Sequence, residues 1–384
     1  MPYRLPLPGA IRRARFVERP NRFLVRCRLL RSGRVVEAFL PNPGRLWELL
    51  LPDATLILTR ARSASAARKT RHTVLAVERE GEPVFLHTHL TNRVARHLIE
   101  AGRIPGLEGA SVVRSEVPVG RSRFDLLLRR GREEILAEVK SVTLFGNGVA
   151  MFPDAVTERG RRHLLELFSV SRETENRPVV LFLVHTARVA WFLPDYHTDL
   201  AFAQTLLQVR DGVDILPVSI GWTRELALAP EVRPLEIPWE HLEREARDRG
   251  SYLLLLRLSR ERRIEVGRLG PLVFPSGWHI YVGSAMAGLS ARLARHARLR
   301  KRHHWHIDHL RQAADGVVAL PIRSSRREEC ELARAVAALL EPGPRGFGCS
   351  DCACATHLFW SPADPLVSPA FHGLLQRFRM RPPS

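Results

Sequence analysis

Between Arg123 and Thr143 the chain reads RFDLLLRRGREEILAEVKSVT, two apolar runs separated by Gly131-Arg132. A two-residue connection with glycine first suits a type II′ hairpin, because that position needs a positive φ, which glycine adopts without strain. The turn fixes a register. Phe124 falls opposite Val139, Leu126 opposite Ala137 and Leu128 opposite Ile135, so one face is wholly apolar. The other face carries Asp125 directly opposite Glu138, with Leu127, Leu136 and Lys140 beside them. Opposed side chains have Cβ atoms roughly 5 Å apart, and like charges at that separation weaken a sheet. A divalent cation, Mg2+ or Mn2+, reverses the sign, since carboxylate oxygens from two strands suit it as ligands. Lys140 would then polarise a water or neutralise charge developing on a phosphate. The alternative is an exposed face of Glu–Lys or Asp–Arg ion pairs. The register counts against it, because it sets Arg123 opposite Lys140.

The charge balance points to the same kind of partner. Against 40 acidic residues stand 59 basic ones, a net charge of +19. Such an excess favours a polyanion, through counterion release from phosphates. Lysine occurs at positions 69, 140 and 301 and nowhere else, so arginine supplies nearly all the positive charge. Coding bias explains a preference for arginine, but it does not create net charge. In a chain that uses arginine wherever a cation suffices, a retained lysine marks a place for a compact ammonium.

The most apolar segment, VVLFLVHTARVAWFLP, is interrupted by His185 and Arg188, which argues against a membrane helix. The first residues lack the apolar core and cleavage site of a leader, so the expected compartment is the cytoplasm. Five cysteines, an odd number, fit reduced thiols there.

With 384 residues there is room for two or three domains. Residues 1–90 alternate in short runs between turn clusters such as PNPGR, the pattern of a small antiparallel barrel or sandwich. Residues 91–230 mix the periods of helix and strand, as an α/β core does. The proline- and charge-rich stretch 231–249 reads as a linker ending in a solvated helical turn, and the C-terminal RFRMRPPS as a frayed tail. A third unit spans 250–384.

The order acid, about a dozen residues, then Glu-x-Lys on the next strand resembles the PD-(D/E)xK nuclease superfamily. The surrounding words PNPGRLWELL, RKTRHT, SRFDLLL, EVKSVTL and FPDAVTERGRRHL are similar to the sugar fermentation stimulation protein (SfsA) family over roughly residues 10–225. That resemblance implies an N-terminal OB-like β-barrel, a PD-(D/E)xK-type α/β nuclease domain and nucleic-acid binding. It also implies Asp125 and Glu138 as metal ligands and Lys140 as the catalytic lysine. Glu116 is a further acid nearby, and Phe124 stands where the superfamily name has proline. Within the barrel, Arg45 of PNPGR and Lys69 of ARKTRH read equally as a turn cap and a solvated loop, or as phosphate contacts.

From Gly250 the chain resembles the GIY-YIG nuclease fold over about 110 residues, and an uncharacterised GIY-YIG-like family carrying VGSA, HWHID and GFGCSDCxCxxHLF. The expected architecture is α+β. By that resemblance Tyr252 and Tyr281 are the paired strand tyrosines and Arg292 the helix arginine. Among Glu328, Glu329 and Glu331, Glu331 best matches the metal-binding glutamate, here for Mg2+. A water associated with a tyrosine would attack phosphorus. The alternative is a binding module that kept the fold and lost catalysis. The segment from Gly288 reads as helical for most of its length, with Leu289, Leu293 and Leu299 as its seam. Six cations fall within eleven residues: Arg292, Arg295, Arg298, Arg300, Lys301 and Arg302. His304 and His306 do not share a helical face, so a phosphate contact suits His304 better than a metal does. Cys349, Cys352, Cys354 and His357 are enough ligands for tetrahedral Zn2+, though the tight C-x-C spacing also fits packed cysteines or a thiol pair. Cys27 and Cys330 read as core.

Together these features describe a divalent-metal-dependent nuclease acting on DNA or RNA through two nuclease-like modules. The alternative is a nucleic-acid-binding regulator of sugar metabolism with vestigial catalytic sites.

Overall fold

The computed structural model describes Tyr3, Leu5 and residues 9–60, 70–120 and 122–383. The chain divides into two compact units, one built from residues up to Asp195 with Ala201–Trp239, the other from Tyr196–Leu200 with Glu240–Pro383. No described helix is long and apolar enough to cross a membrane.

The first unit opens with a barrel. Its strands are β1 (Ile11–Asn21), β2 (Leu24–Leu29), β3 (Val35–Phe39), β4 (Thr55–Arg60) and β5 (His72–Arg79). Pairings β1–β2, β2–β3, β3–β5, β5–β4 and β4–β1 return to their start, so the five strands close into a ring with one parallel seam, β3–β5. β6 (Glu82–Phe85) extends it beside β5. β1 lacks the clean apolar alternation of a strand in the sequence. Its exposed face is rich in arginine, and two register shifts, after Phe16 and Glu18, break the alternation that would betray it.

After α1 (Thr88–Glu100) come β7 (Ser111–Val119), β8 (Ser122–Arg130), β9 (Glu133–Val142), β10 (Leu144–Gly146), β11 (Val149–Phe152), α2 (Glu158–Glu173), β12 (Arg177–Val184), β13 (Trp191–Pro194), α3 (Leu200–Val209), β14 (Asp214–Trp222) and β15 (Leu228–Pro234). The main sheet runs β15-β14-β12-β9-β8-β7, with β9, β12 and β14 parallel. β12 is buried from Pro178 to Val184, which is why it reads as a continuous apolar run. Its alternate residues divide between two cores. Val180, Phe182 and Val184 pack with Leu164 and Leu167 of α2, while Val179, Leu181 and Leu183 pack with Val94, Leu98 and Ile99 of α1. A Thr157 side chain caps α2 by accepting the Gly160 N–H at 3.0 Å.

The second unit has α4 (Trp239–Glu245), β16 (Gly250–Leu258), β17 (Arg262–Glu265), β18 (Pro271–Phe274), β19 (Gly277–Ala285), α5 (Leu289–Ala297), α6 (His306–Ala313), β20 (Gly316–Arg323), α7 (Glu329–Ala337), β21 (Glu341–Pro342), β22 (Leu358–Ser361) and α8 (Pro369–Arg379). Its antiparallel sheet runs β20-β16-β19-β22-β21.

Three expectations need correction. The stretch 231–249 is not a free linker: β15 reaches Pro234, and Glu245 accepts both the Ser325 N–H and its hydroxyl at 2.7 Å. The C-terminus is not frayed, since α8 buries Phe378 and is followed by buried Met380. The basic segment is not one helix. α5 ends at Ala297, α6 begins at His306, and Leu299 is exposed rather than part of a seam.

Candidate functional sites

The hairpin register holds from Arg130–Glu133 to Leu126–Ala137, with Gly131 at φ +59° in its turn, and there the β8–β9 ladder ends. One residue further on, the Asp125 carboxylate replaces the missing ladder bond by accepting the Val139 N–H at 2.8 Å. Its other oxygen accepts from the Asn92 side chain of α1 at 2.7 Å. β7 bends at the same level, where Glu116 has φ +57°. Glu116 itself lies outside the site, exposed and 3.6 Å from Arg123. This kink moves Phe124 off the expected apolar face. It sits in the α2 core, its ring centroid 5.7 Å from that of His163. Direct Asp125–Glu138 opposition is thus replaced by an offset pair that still interacts electrostatically.

Glu138 is almost wholly buried on β9. Its Oε1 accepts from Lys140 Nζ and from His163 Nδ1, each at 2.6 Å. Its Oε2 is buried without a hydrogen-bond partner among the described residues. Burial opposes ionisation of Glu138, but the hydrogen bond from His163 and the Lys140 charge outweigh it and hold the carboxyl below its usual value. Asp125 goes the other way, pushed up to about 6 by burial and then by the Glu138 charge. Two acids with opposite displacements and one spare buried oxygen could hold a hard cation. Sequence reasoning missed His163 and Asn92. His163 sits on the buried face of α2 beside Leu164 and Leu167, a position that reads simply as core.

In the second unit β16 and β19 place Tyr252 opposite Gly283, and an added Cβ at Gly283 would collide with the Tyr252 ring. The Tyr252 and Tyr281 rings lie 6.3 Å apart, both buried, and burial pushes both hydroxyls up from their ordinary pKa. The Tyr252 hydroxyl and His296 Nε2 are 2.9 Å apart. The Arg292 charge opposes the burial that raises the Tyr252 hydroxyl, and its guanidinium lies 4.3 Å from the centroid of the Trp305 ring. These three expected residues do converge.

Glu331 does not join them. It points outward to Arg377 and Arg381. Glu329, two residues earlier and so on another side of α7, carries the charge that the tyrosines sense. It accepts from the Ser284 hydroxyl and from His357 Nδ1, the latter at 3.1 Å.

The basic segment is organised by Asp308, which is fully buried. It accepts from Arg295 at 3.1–3.2 Å and from the backbone N–H groups of His304 and Trp305, at 2.9 and 3.1 Å. Lys301 Nζ lies 2.8 Å away. Burial works against its charge, but His296, Lys301 and the two N–H groups hold it far below the usual carboxylate range. Arg295 and Lys301 are therefore structural cations rather than free phosphate ligands, whereas Arg298, Arg300, Arg302 and His304 are exposed.

The expected zinc set is also altered. Cys349 is buried apart from the group, and Cys330 takes its place beside Cys352, Cys354 and His357, with all four ligand atoms within 4.8 Å of one another. Cys27 is core.

In the barrel, Arg19 donates to the carbonyls of Asn42, Gly44 and Arg45, clamping the PNPGR loop. An added Cβ at Gly44 would collide with the Asp154 carboxylate, which also accepts the Leu46 N–H at 3.2 Å. Two motifs distant in sequence thus meet; burial raises the Asp154 pKa, and the Leu46 N–H and the charge of Arg45, itself 4.9 Å from the centroid of the Trp47 ring, partly offset it. Lys69 lies outside the described residues.

A closed five-stranded barrel leading into a mixed sheet with two acids and a lysine on adjacent strands defines an OB-fold protein joined to a PD-(D/E)xK-type α/β domain, here followed by an α+β unit. Residues 17–86 match the SfsA N-terminal OB domain, 89–225 the sugar fermentation stimulation protein RE domain, and 251–379 the domain of unknown function DUF123. The sugar fermentation stimulation protein homolog of Chloroflexus aurantiacus is 40% identical over 217 residues, 56% of this chain and 82% of that one. The homolog from Methanothermobacter thermautotrophicus is 36% identical over 229 residues, 59% of this chain and 93% of its own. The chain belongs to the sugar fermentation stimulation protein family, with a GIY-YIG-like region added. The structure of Pyrococcus furiosus SfsA in complex with Ca2+ aligns with a TM-score of 0.55 at 29% identity, covering 61% of this chain and 99% of that one.

Proposed function

We propose that the chain hydrolyses phosphodiester bonds of nucleic acid at Asp125, Glu138 and Lys140. The observation that carries this reading is the buried Glu138 Oε2, without a hydrogen-bond partner among the described residues, beside an aspartate whose pKa burial and then the same glutamate raise. Asp125 and Glu138 fit a hard divalent cation, and the Ca2+ of the Pyrococcus furiosus protein supports that class. When bound, Mg2+ or Mn2+ would supply Lewis-acid polarisation of a phosphate oxygen. His163 fixes Glu138 by donating to Oε1, which leaves Oε2 for a ligand. Lys140 Nζ makes one hydrogen bond to Oε1, and its remaining N–H groups are donors for a water or a phosphate oxygen.

The second unit reads better as a nucleic-acid-binding module, with Arg298, Arg300, Arg302 and His304 exposed to phosphates. Its two tyrosines are buried, and its nearby glutamate is already engaged by Ser284 and His357.

Digestion of single- and double-stranded DNA and RNA by the full chain, with Mg2+, Mn2+ or EDTA, tests the proposal. Cutting of at least one substrate that EDTA abolishes is expected. Binding without cutting in every metal would make the chain a nucleic-acid-binding regulator instead.

A further inference from the structure

We infer that Cys330, Cys352, Cys354 and His357 hold a structural zinc ion, with Glu329 as the carboxylate that orients His357. The site stands independently of the proposed hydrolysis. Three sulfurs and one imidazole nitrogen are a full complement for tetrahedral zinc, the mark of a structural rather than a catalytic site. Ordinary Zn–S and Zn–N bond lengths put sulfur and nitrogen about 3.6 Å apart across a tetrahedron, and sulfurs about 3.8 Å apart. Cys352 Sγ and His357 Nε2 are 3.5 Å apart. No two ligand atoms in the group are more than 4.8 Å apart, so closing onto the ion needs a contraction of at most about 1 Å.

The imidazole is already arranged as a ligand. Its Nε2 faces the sulfurs and its Nδ1 donates to Glu329 Oε1 at 3.1 Å, the carboxylate–histidine pairing that sets tautomer and ring angle in zinc sites. The Ser284 hydroxyl holds Glu329 in turn.

The fold gives the ion something to do. The stretch from Gly343 to His357 has no helix or strand; its backbone bonds include those from Gly343 and Gly346 to Leu358 and Ala355 and from His357 to Phe347, each at 2.8 Å, from Val282 to His357 at 2.9 Å and from Phe347 to Pro344 at 3.3 Å. A connection of that length without regular structure is uncommon in a compact unit. Zinc would tie it to Cys330 on the first turn of α7, and so hold Gly348 against the Tyr281 ring. Cys349, next to that glycine, stays outside the set.

The test is metal analysis of the full chain purified without chelator, together with Co2+ replacement after zinc removal. About one zinc per chain is expected, and a Co2+ spectrum with thiolate-to-metal charge-transfer bands and tetrahedral ligand-field bands. Cys330→Ser and Cys352→Ser should each lose zinc or weaken the Co2+ charge-transfer band, and Cys349→Ser should change neither. Glu329→Gln should keep the spectrum while binding 10–100-fold more weakly. If a cysteine variant fails to fold, wild-type chain stripped and reloaded with Co2+ decides the matter alone. No bound zinc and no tetrahedral Co2+ spectrum would overturn the inference. So would loss of metal in Cys349→Ser with retention in Cys330→Ser.

Discussion

Lys140 and Glu48 are two ionisable groups that burial makes informative. Lys140 Nζ shares Glu138 Oε1 with His163, both at 2.6 Å, a geometry for a point charge rather than a planar fork. Lys140→Arg keeps the charge, yet single-turnover cleavage should fall by about 10²–10⁴-fold, the range of a positioned acid–base group. A near-normal rate would reduce Lys140 to a charge partner. Glu48, in the barrel, has Oε1 shielded from water and a pKa pushed up to about 7 by burial, then by Asp154. The folded chain therefore binds this proton more tightly than the unfolded chain does. The contribution is fully present below the ordinary value of 4.5 and is lost as pH rises through about 7. Between those limits Glu48→Gln should flatten a stability–pH profile by roughly 3 kcal/mol, measured by denaturant unfolding. An unchanged profile would mean that Glu48 is solvated.

At the scale of elements, the hairpin was legible because its turn and apolar alternation agree. Both fix the β8–β9 register to Leu126–Ala137. The kink at Asp125 was not legible, because it depends on α1 supplying Asn92 and β7 bending at Glu116, contacts that no local pattern encodes. Likewise Arg295 and Arg298 look alike in sequence, and only Asp308 separates them. Asp308→Asn should destabilise the second unit by about 3 kcal/mol by leaving buried cations unpaired, read as a lower midpoint in thermal unfolding. Neutralising Arg298, Arg300 and Arg302 should leave that midpoint almost unchanged. It should lower the log–log salt slope of nucleic-acid binding by about one unit per lost phosphate contact. Equal effects of the two changes on stability would contradict the division.

For the whole molecule, composition raised the expectation of a polyanionic partner, and motif words announced the barrel, the sheet and the α+β unit. The interleaving was hidden, since Tyr196–Leu200 belongs to the second unit and its membership rests on long-range contacts such as Arg323 N–H to His197 at 2.9 Å. A cation at Asp125 and Glu138 should stabilise the first unit by about 2.7 kcal/mol at a hundredfold its dissociation constant. Asp125→Asn should remove that gain while folding normally, because the Asn92 amide can turn to pair with the new side chain.

The most direct test compares single-turnover cleavage by full-length wild type, Asp125→Asn and Arg292→Ala, in Mg2+ with the best substrate found. At least about a thousandfold loss is expected for Asp125→Asn, and for Arg292→Ala a loss no larger than its loss of binding. Undiminished cutting by Asp125→Asn, with cleavage abolished in Arg292→Ala while binding persists, would contradict it and move the chemistry to the tyrosine pair.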